Sequence, residues 1–239
     1  MIYLFIIEFD IELDYNGKCE MPNWCCTDFI VSGLAEDIAR FREAVRGCDG
    51  DKEIPFDFNR LDPMPSELQG TVPDFGTAYT VYYGDAEPIL EYPWVKKLEI
   101  ATVEQLREHF DVDPKHRETA DQWKANIEKY GAPNWYEWRC QHWGTKWNAC
   151  DAEITDNGDG SLHVQFDTAW SFPFPIFEKL VGDFPTLNFE GSAEEPNMEI
   201  FITFAGHNGK FTWEEDQEAR EAWDAAMLED ENESTELTA

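Results

Sequence analysis

The chain has 239 residues, 42% hydrophobic and 15% aromatic, which is enough for one large domain or a small domain carrying an insertion. Its 50 acidic and 18 basic residues give a formal net charge of −32, and a field of this sign repels nucleic-acid phosphates and anionic membranes. We therefore predict no direct binding to nucleic acid or membrane, and we expect a protein partner to be basic.

The first 65 residues predict a short extension followed by a strand, a helix and a second strand. Residues 1–20 read as an N-terminal extension, and the sequence leaves open whether Met1 or Met21 is the true start. Residues 24–32 have a β-rich pattern. In residues 34–47 apolar side chains recur every three to four positions, which predicts an amphipathic helix. Alternating phenylalanines predict a strand within residues 54–65.

Residues 66–146 are predicted to be an insertion that is helical in its second half. Glycine and proline punctuate its first part, where residues 77–84 predict a short strand. Residues 102–143 carry helix start and stop signals. The predicted caps are Thr102, Thr119 and Asn134, and the predicted stops are Gly131 and Gly144.

Residues 147–213 predict the second half of the domain that the insertion interrupts. A hairpin turns at residues 156–160, and a proline-opened helix follows at 173–185. Further strands are predicted at 186–192, 197–206 and 210–213. Residues 214–239 predict an acidic C-terminal helix and a disordered tail.

Without the insertion, the order of elements is β-α-β followed by β-β-α-β-β. This order predicts an α+β fold, a ferredoxin-like antiparallel sheet with helices on one face and a largely helical insertion. Packing of helices on a sheet would bury the aromatic side chains of one sheet face.

Four motifs together resemble a known family. They are MPNWC at 21–25, WGTKWNA at 143–149, TAWSFPFP at 168–175 and FAGHNGK at 204–210. The chain resembles the Api92-like (DUF1281) family of phage and plasmid proteins, which has a C-terminal YubB-type ferredoxin-like domain. The resemblance spans roughly residues 21–213, and it departs from the family at Phe172-Pro173, where Pro-Pro is common. It implies a fold and a mobile-element origin, and no reaction.

Two of these motifs supply the candidate ligand- or partner-binding residues. The candidates are Trp143, Lys146, Trp147, Asn148, Trp170 and Ser171. Tryptophan is enriched at interaction hot spots, and packing alone does not explain a lysine and an asparagine within an aromatic cluster. The alternative is that the tryptophans join the last insertion helix to the sheet and bury their rings. The sequence leaves both interpretations open.

The cysteine and histidine spacings predict no metal site and no cofactor. The six cysteines show no CxxC spacing, and Cys140, His142 and Cys150 lie too irregularly for a typical zinc site. Catalytic motifs such as GxSxG, HExxH or a P-loop are absent. Cys25 and Cys26 are the nucleophile candidates, but no histidine is patterned with them. We therefore predict no catalytic residues.

The chain start and hydropathy predict a cytoplasmic protein, and the family resemblance implies that the cell is a bacterial host. The apolar first residues lack the basic region of a signal peptide, and no apolar run reaches the roughly 20 residues that cross a bilayer. Free, mostly buried thiols fit that compartment.

Charge and resemblance together predict a non-catalytic, strongly acidic interaction protein of phage or plasmid origin. It would bind a basic host or mobile-element protein, as a DNA mimic or an anti-defence factor. The alternative function is binding of a small molecule or nucleotide, including enzymatic use, by the region around Trp143, Lys146, Trp147 and Asn148. The partner's identity and the oligomeric state stay open.

Overall fold

A six-stranded antiparallel sheet organises the computed structural model, which describes residues 23–71 and 76–236, the last eight as backbone alone. Its strands are β1 (Trp24–Ser32), β4 (Cys150–Asp156), β5 (Leu162–Ala169), β6 (Asn188–Glu195), β7 (Ile200–His207) and β8 (Lys210–Glu215), in the order β4-β5-β1-β6-β7-β8. A separate hairpin pairs β2 (Gly47–Asp49) with β3 (Lys52–Ile54). The predicted extension and both candidate starts lie outside the described residues.

Two helices pack against the core side of the sheet. Most of the other helices belong to the insertion. The helices are α1 (Ala35–Val45), α2 (Phe58–Leu61), α3 (Thr77–Tyr83), α4 (Pro93–Lys97), α5 (Val103–Phe110), α6 (Pro114–Tyr130), α7 (Trp135–His142), α8 (Phe174–Asp183) and α9 (Gln217–Glu236). In the part of the chain that the structure describes, each helix is too short or too polar to cross a membrane.

The strand order confirms the predicted α+β, ferredoxin-like class. The elements β1-α1-β4-β5-α8-β6 have the βαββαβ order, and their strands lie as β4-β5-β1-β6. Strands β7 and β8 extend this sheet as a meander on the β6 side. The insertion therefore lies between α1 and β4.

The main core lies between the sheet and helices α1 and α8. In β1 the residues alternate between buried and exposed, because successive side chains of a strand point to opposite faces. Phe29 on the buried side is fully enclosed, and its ring contacts Phe56, Phe166 and Phe177 in edge-on arrangements. Such pairs are favourable beyond their area burial.

The strand predicted for residues 54–65 is wrong, because a short helix forms there. The Asp57 carboxylate accepts a hydrogen bond from Asn59 N at 2.9 Å and caps α2. This local bond offers the backbone an alternative to a sheet ladder. Phe56 and Phe58 are both fully buried, and the turn between them lets both reach the core.

Two further local predictions in the insertion are also wrong. Residues 77–83 form helix α3 and not a strand. Helix α6 begins at Pro114 with Asp113 as its cap, since the Asp113 side chain accepts from Lys115 N, so Thr119 lies inside the helix. The predicted caps Thr102 and Asn134 are confirmed by hydrogen bonds from Gln105 N and Glu137 N.

The insertion has a small core of its own, separate from the main one. Val81, Leu106 and Phe110, from α3 and α5, are at its centre, together with Ile89 and Val95. Helix α7 lies outside this small core and contacts α8. This contact places the WGTKWNA segment, which follows α7, next to the sheet.

Candidate functional site

The two motifs that supplied the candidate residues lie against each other in the fold. Thr145 Oγ1 donates a hydrogen bond to the carbonyl oxygen of Ala169 at 3.0 Å, and Ser171 Oγ donates to the carbonyl oxygen of Gly144 at 2.5 Å. Thr145 is 2% exposed. These bonds fix the WGTKWNA loop onto the end of β5, and Ser171 therefore has a positioning role.

Gly144 makes the close approach between these loops. Its φ of +80° lies in the left-handed region, and an added Cβ would lie 2.8 Å from Pro175 Cδ and 3.3 Å from Phe174 N. We expect Gly144→Ala to lower the free energy of unfolding by about 2–4 kcal/mol, from backbone strain and overpacking together. Urea unfolding measures this loss.

Gly158 is the matched control for that substitution. It has the same φ of +80° in the hairpin turn, and nothing lies within 4 Å of an added Cβ. Gly158→Ala should therefore cost only the backbone term, about 1–2 kcal/mol. Equal losses for the two variants would show that the contact with Pro175 is unimportant.

Trp143 is packed inside the fold. It is 1% exposed, its ring lies edge-on to Trp138 and Phe58, and its indole N–H donates to the carbonyl oxygen of Asp62 at 2.9 Å. The Arg139 guanidinium lies 4.7 Å from its ring centre. Trp143 therefore joins α7 to the sandwich, as the packing interpretation predicts, and it is inaccessible to a ligand.

Asn148 is half-buried, and its side-chain amide is hydrogen-bonded within the structure. Its Nδ2 donates to the Asp57 carboxylate at 2.7 Å, and its Oδ1 accepts from Phe58 N at 2.8 Å and from Ala149 N at 3.0 Å. Asp57 is only 6% exposed. Asn148 is thus polar because it satisfies a buried carboxylate and a helix start, and it does not face a ligand site.

Lys146, Trp147 and Trp170 are half-buried, unlike Trp143, and their side chains do not make the hydrogen bonds to α2 that Asn148 makes. The Lys146 ammonium lies 4.4 Å from the Trp147 ring centre and 5.7 Å from that of Trp170. Trp24, at the start of β1, lies 6.0 Å from Trp147 with its ring tilted by 44°. We call Trp24, Trp147 and Trp170 the indole platform.

One residue of the indole platform, Trp170, has an unusual backbone conformation. Trp170 has a φ of 73°, which is rare for a bulky side chain, and its N–H donates to the carbonyl oxygen of Asn23 at 2.9 Å. Such a conformation costs about 1–3 kcal/mol and persists only where the surroundings enforce it. Here the hydrogen bonds of Thr145, Ser171 and Trp170 enforce it.

The sheet face turned away from α1 and α8 lies next to the platform. Residues paired across antiparallel strands point to the same side, so the register identifies this face. Its central row is Glu153, Gln165, Asp28, Ser192, Thr203 and Glu214. The row on one side of it is Thr155, His163, Ile30, Glu190, Ala205 and Thr212. The row on the other side is Cys150, Asp167, Cys26, Glu194 and Phe201. We call these three rows the open sheet face.

The open sheet face is strongly acidic. Its three rows contain six carboxylates and no lysine or arginine, and five of those carboxylates are exposed. His163 Nε2 lies 2.6 Å from the Asp28 carboxylate. At the far edge, Arg220 of α9 lies 5.8 Å from the Phe201 ring, which is 4% exposed.

The platform and the acidic rows form one continuous surface. Trp24 pairs with Ala169 and precedes Cys26 by two residues, so it lies on the same face, about 7 Å from the row that holds Asp167 and Glu194. A cation that approached the indoles would therefore also meet carboxylates.

The thiols at this end of the sheet are poor nucleophiles. Burial raises the pKa of Cys25 to about 12, and burial together with the Asp167 carboxylate raises the pKa of Cys26 to about 11. The thiolate is the reactive form, so little of it exists at neutral pH. The two cysteines considered as nucleophile candidates are therefore packed or protonated side chains here.

The histidine considered for metal binding has other contacts. His142 stacks on Trp138 with ring centres 4.0 Å apart, and its Nδ1 lies 2.9 Å from the Asp62 carboxylate. Burial raises the pKa of Cys140 to about 11. Among the described side chains, no three histidine, cysteine or acidic residues converge as metal ligands would.

Sequence reasoning missed Trp24 and the carboxylates of the open sheet face. The signal for the carboxylates was present in β1, where Cys26, Asp28 and Ile30 alternate with buried residues. Trp24 lies 123 positions before Trp147, and only the pairing of β1 with β5 brings the two together.

The strand order defines an α+β protein with a ferredoxin-like domain. The face of its sheet that is turned away from α1 and α8 is acidic. Residues 142–238 match the family model described as the ferredoxin-like domain in Api92-like protein. Residues 142–238 therefore carry the ferredoxin-like domain of Api92-like proteins, which confirms the family resemblance over that part of the chain.

The solved structures include a similar protein, the protein api92 from Yersinia pseudotuberculosis. The two are 11% identical, with a TM-score of 0.44, and the similarity covers 82% of this chain and 98% of that one. A search of curated proteins found no match.

Proposed function

We propose that this is a non-catalytic interaction protein that binds a basic protein through its open sheet face. The observation that carries the proposal is the exposed face itself, with six carboxylates and no lysine or arginine in its three rows. A protein with complementary positive charge would be attracted and oriented by this field.

The chain-wide charge supports the same partner class. A net charge of −32 opposes association with another copy of the chain and with anionic polymers. A basic protein is therefore the favoured partner, and the family resemblance implies that it belongs to the host or to a mobile element. By occupying that partner's basic surface, the open sheet face would act as a DNA mimic, and against a defence protein it would act as an inhibitor.

A defined cationic probe tests the proposal. The probe is a fluorescently labelled hexa-arginine peptide, and binding is followed by anisotropy at 50 and 300 mM salt. We expect the variant Glu153→Gln, Glu190→Gln, Glu194→Gln to bind about tenfold more weakly than the unmodified protein at low salt, from three lost charge contacts. The difference should shrink at high salt because of screening.

The matched control removes the same charge from the insertion. Glu104, Glu108 and Glu118 are exposed on α5 and α6, away from the sheet. Replacing all three by glutamine also changes the net charge from −32 to −29, and we expect less than a twofold loss of binding. Equal losses in both variants would refute a specific role for the open sheet face.

A further inference from the structure

We propose that the indole platform binds an arginine or lysine side chain of the partner, and that Lys146 occupies this position in the free protein. The proposal rests on the proposed function, since it names the anchor point of the basic partner. It adds an aromatic cation site to the acidic face and assigns Lys146 the role of an internal competitor.

The first argument is that the platform already holds a cation. Both distances from Lys146 Nζ, 4.4 Å to Trp147 and 5.7 Å to Trp170, lie within the range of a cation–π contact. A cation over these rings is therefore compatible with the shape of the site. A guanidinium from a partner stacks on indoles more favourably than an ammonium, because it is planar and less strongly hydrated.

The second argument comes from comparison with another cation in the same region. Arg139 lies 5.1 Å from the Trp135 ring and 4.7 Å from the Trp143 ring, but Trp143 is 1% exposed. Arg139 is half-buried, and this partial burial lowers its pKa. The contact of Arg139 with Trp143 is therefore part of the packing, whereas both indoles beside Lys146 are half-buried.

The third argument is that the platform is rigid and lies beside negative charge. Thr145, Ser171 and the backbone of Trp170 fix both loops, so a partner would pay little for ordering the indoles. Asp167 and Glu194 lie in the adjacent row of the open sheet face. Rigid aromatic rings next to carboxylates suit a cationic side chain and offer nothing to an anion.

The test compares two lysine substitutions with the same hexa-arginine probe. Lys146→Met keeps an unbranched apolar chain and removes the competing ammonium, so we expect affinity to rise about threefold to fivefold. Lys210→Met removes the same charge at the exposed start of β8, away from the platform, and should raise affinity less than about twofold. Adding Trp147→Leu to Lys146→Met should abolish the gain.

A measurement without substitutions provides a second readout. The indole N–H resonances of Trp147 and Trp170 should shift on titration with hexa-arginine, while that of buried Trp143 should stay unchanged. Equal gains from Lys146→Met and Lys210→Met, or unchanged platform resonances, would overturn the proposal.

The results separate this inference from the proposed function. If the open-sheet-face variant loses binding but substitutions of Lys146 and Trp147 do not change the affinity, the proposed function is supported and the platform has only a structural role. If substitutions of Lys146 and Trp147 change the affinity but the open-sheet-face variant binds as well as its insertion control, the platform proposal is supported and the acidic-face proposal is refuted. Absence of hexa-arginine binding at low salt would refute both.

Discussion

Replacing Trp143 by alanine is expected to lower the free energy of unfolding by about 3–5 kcal/mol. The ring is 1% exposed, contacts Trp138 and Phe58, and lies 4.7 Å from the half-buried Arg139 guanidinium, so its removal leaves a cavity and takes away a cation–π contact. The loss is large compared with the 5–15 kcal/mol that stabilises a typical protein. Urea unfolding followed by circular dichroism measures it.

Trp223 is the matched control for this substitution. It lies on α9 and is 40% exposed. Trp223→Ala should change the free energy of unfolding by less than about 1 kcal/mol, because it empties no core space. If Trp143→Ala were as mild as Trp223→Ala, Trp143 would not join α7 to the sandwich, and its assignment to packing would be wrong.

The substitution Asn148→Asp is expected to destabilise the protein by about 3 kcal/mol at pH 7. One carboxylate oxygen would still accept from Phe58 N and Ala149 N. The other would replace the Nδ2 donor, which lies 2.7 Å from the carboxylate of Asp57, a residue only 6% exposed. Two carboxylates at this separation repel each other unless they share a proton.

The sign of the pH dependence follows from that shared proton. The folded variant would bind a proton between its two carboxylates more tightly than the unfolded chain does, so it gains stability relative to the unmodified protein as the pH falls. We therefore expect the difference between Asn148→Asp and the unmodified protein to be smaller at pH 4 than at pH 7. Urea midpoints measured at both pH values test this.

The control for this change is Asn157→Asp in the exposed hairpin turn. Asn157 Nδ2 donates only to Ser161 Oγ among the described contacts, at 2.9 Å. The loss there should stay under about 1 kcal/mol. A loss at Asn148 that does not depend on pH would show that the missing donor, and not the like charge, is responsible.

Trp143 and Asn148 differ in role from the other candidate ligand- or partner-binding residues. Trp143 and Asn148 contact the core and the cap of α2, and their substitution should act on stability. Lys146, Trp147 and Trp170 lie at the surface next to the open sheet face, and substitution of Lys146 should act on binding. The packing interpretation therefore applies to Trp143, and the binding interpretation stays a proposal for Trp147 and Trp170.

Local patterns predicted much of the second half of the fold. The hairpin of β4 and β5, helix α8 and strands β6 to β8 follow from alternation and turn signals within short segments. The caps Thr102 and Asn134 were also predictable, since a cap bonds to a residue two or three positions away. The structure of segment 54–65 was not predictable from local patterns, because the Asp57 side chain is hydrogen-bonded to Asn148, 91 positions later.

The amino-acid sequence by itself determined the class of fold, the strong negative charge, the family resemblance and the residues from which a site had to be chosen, because composition and short-range periodicity are local properties. The tertiary structure alone decided which face of the sheet is open and which tryptophans are sealed. It placed Trp24 beside Trp147 and Lys146 over two indoles, and it aligned carboxylates from five strands on one surface. These contacts join residues far apart in the chain, and their geometry depends on strand register and on the side from which α1 and α8 pack.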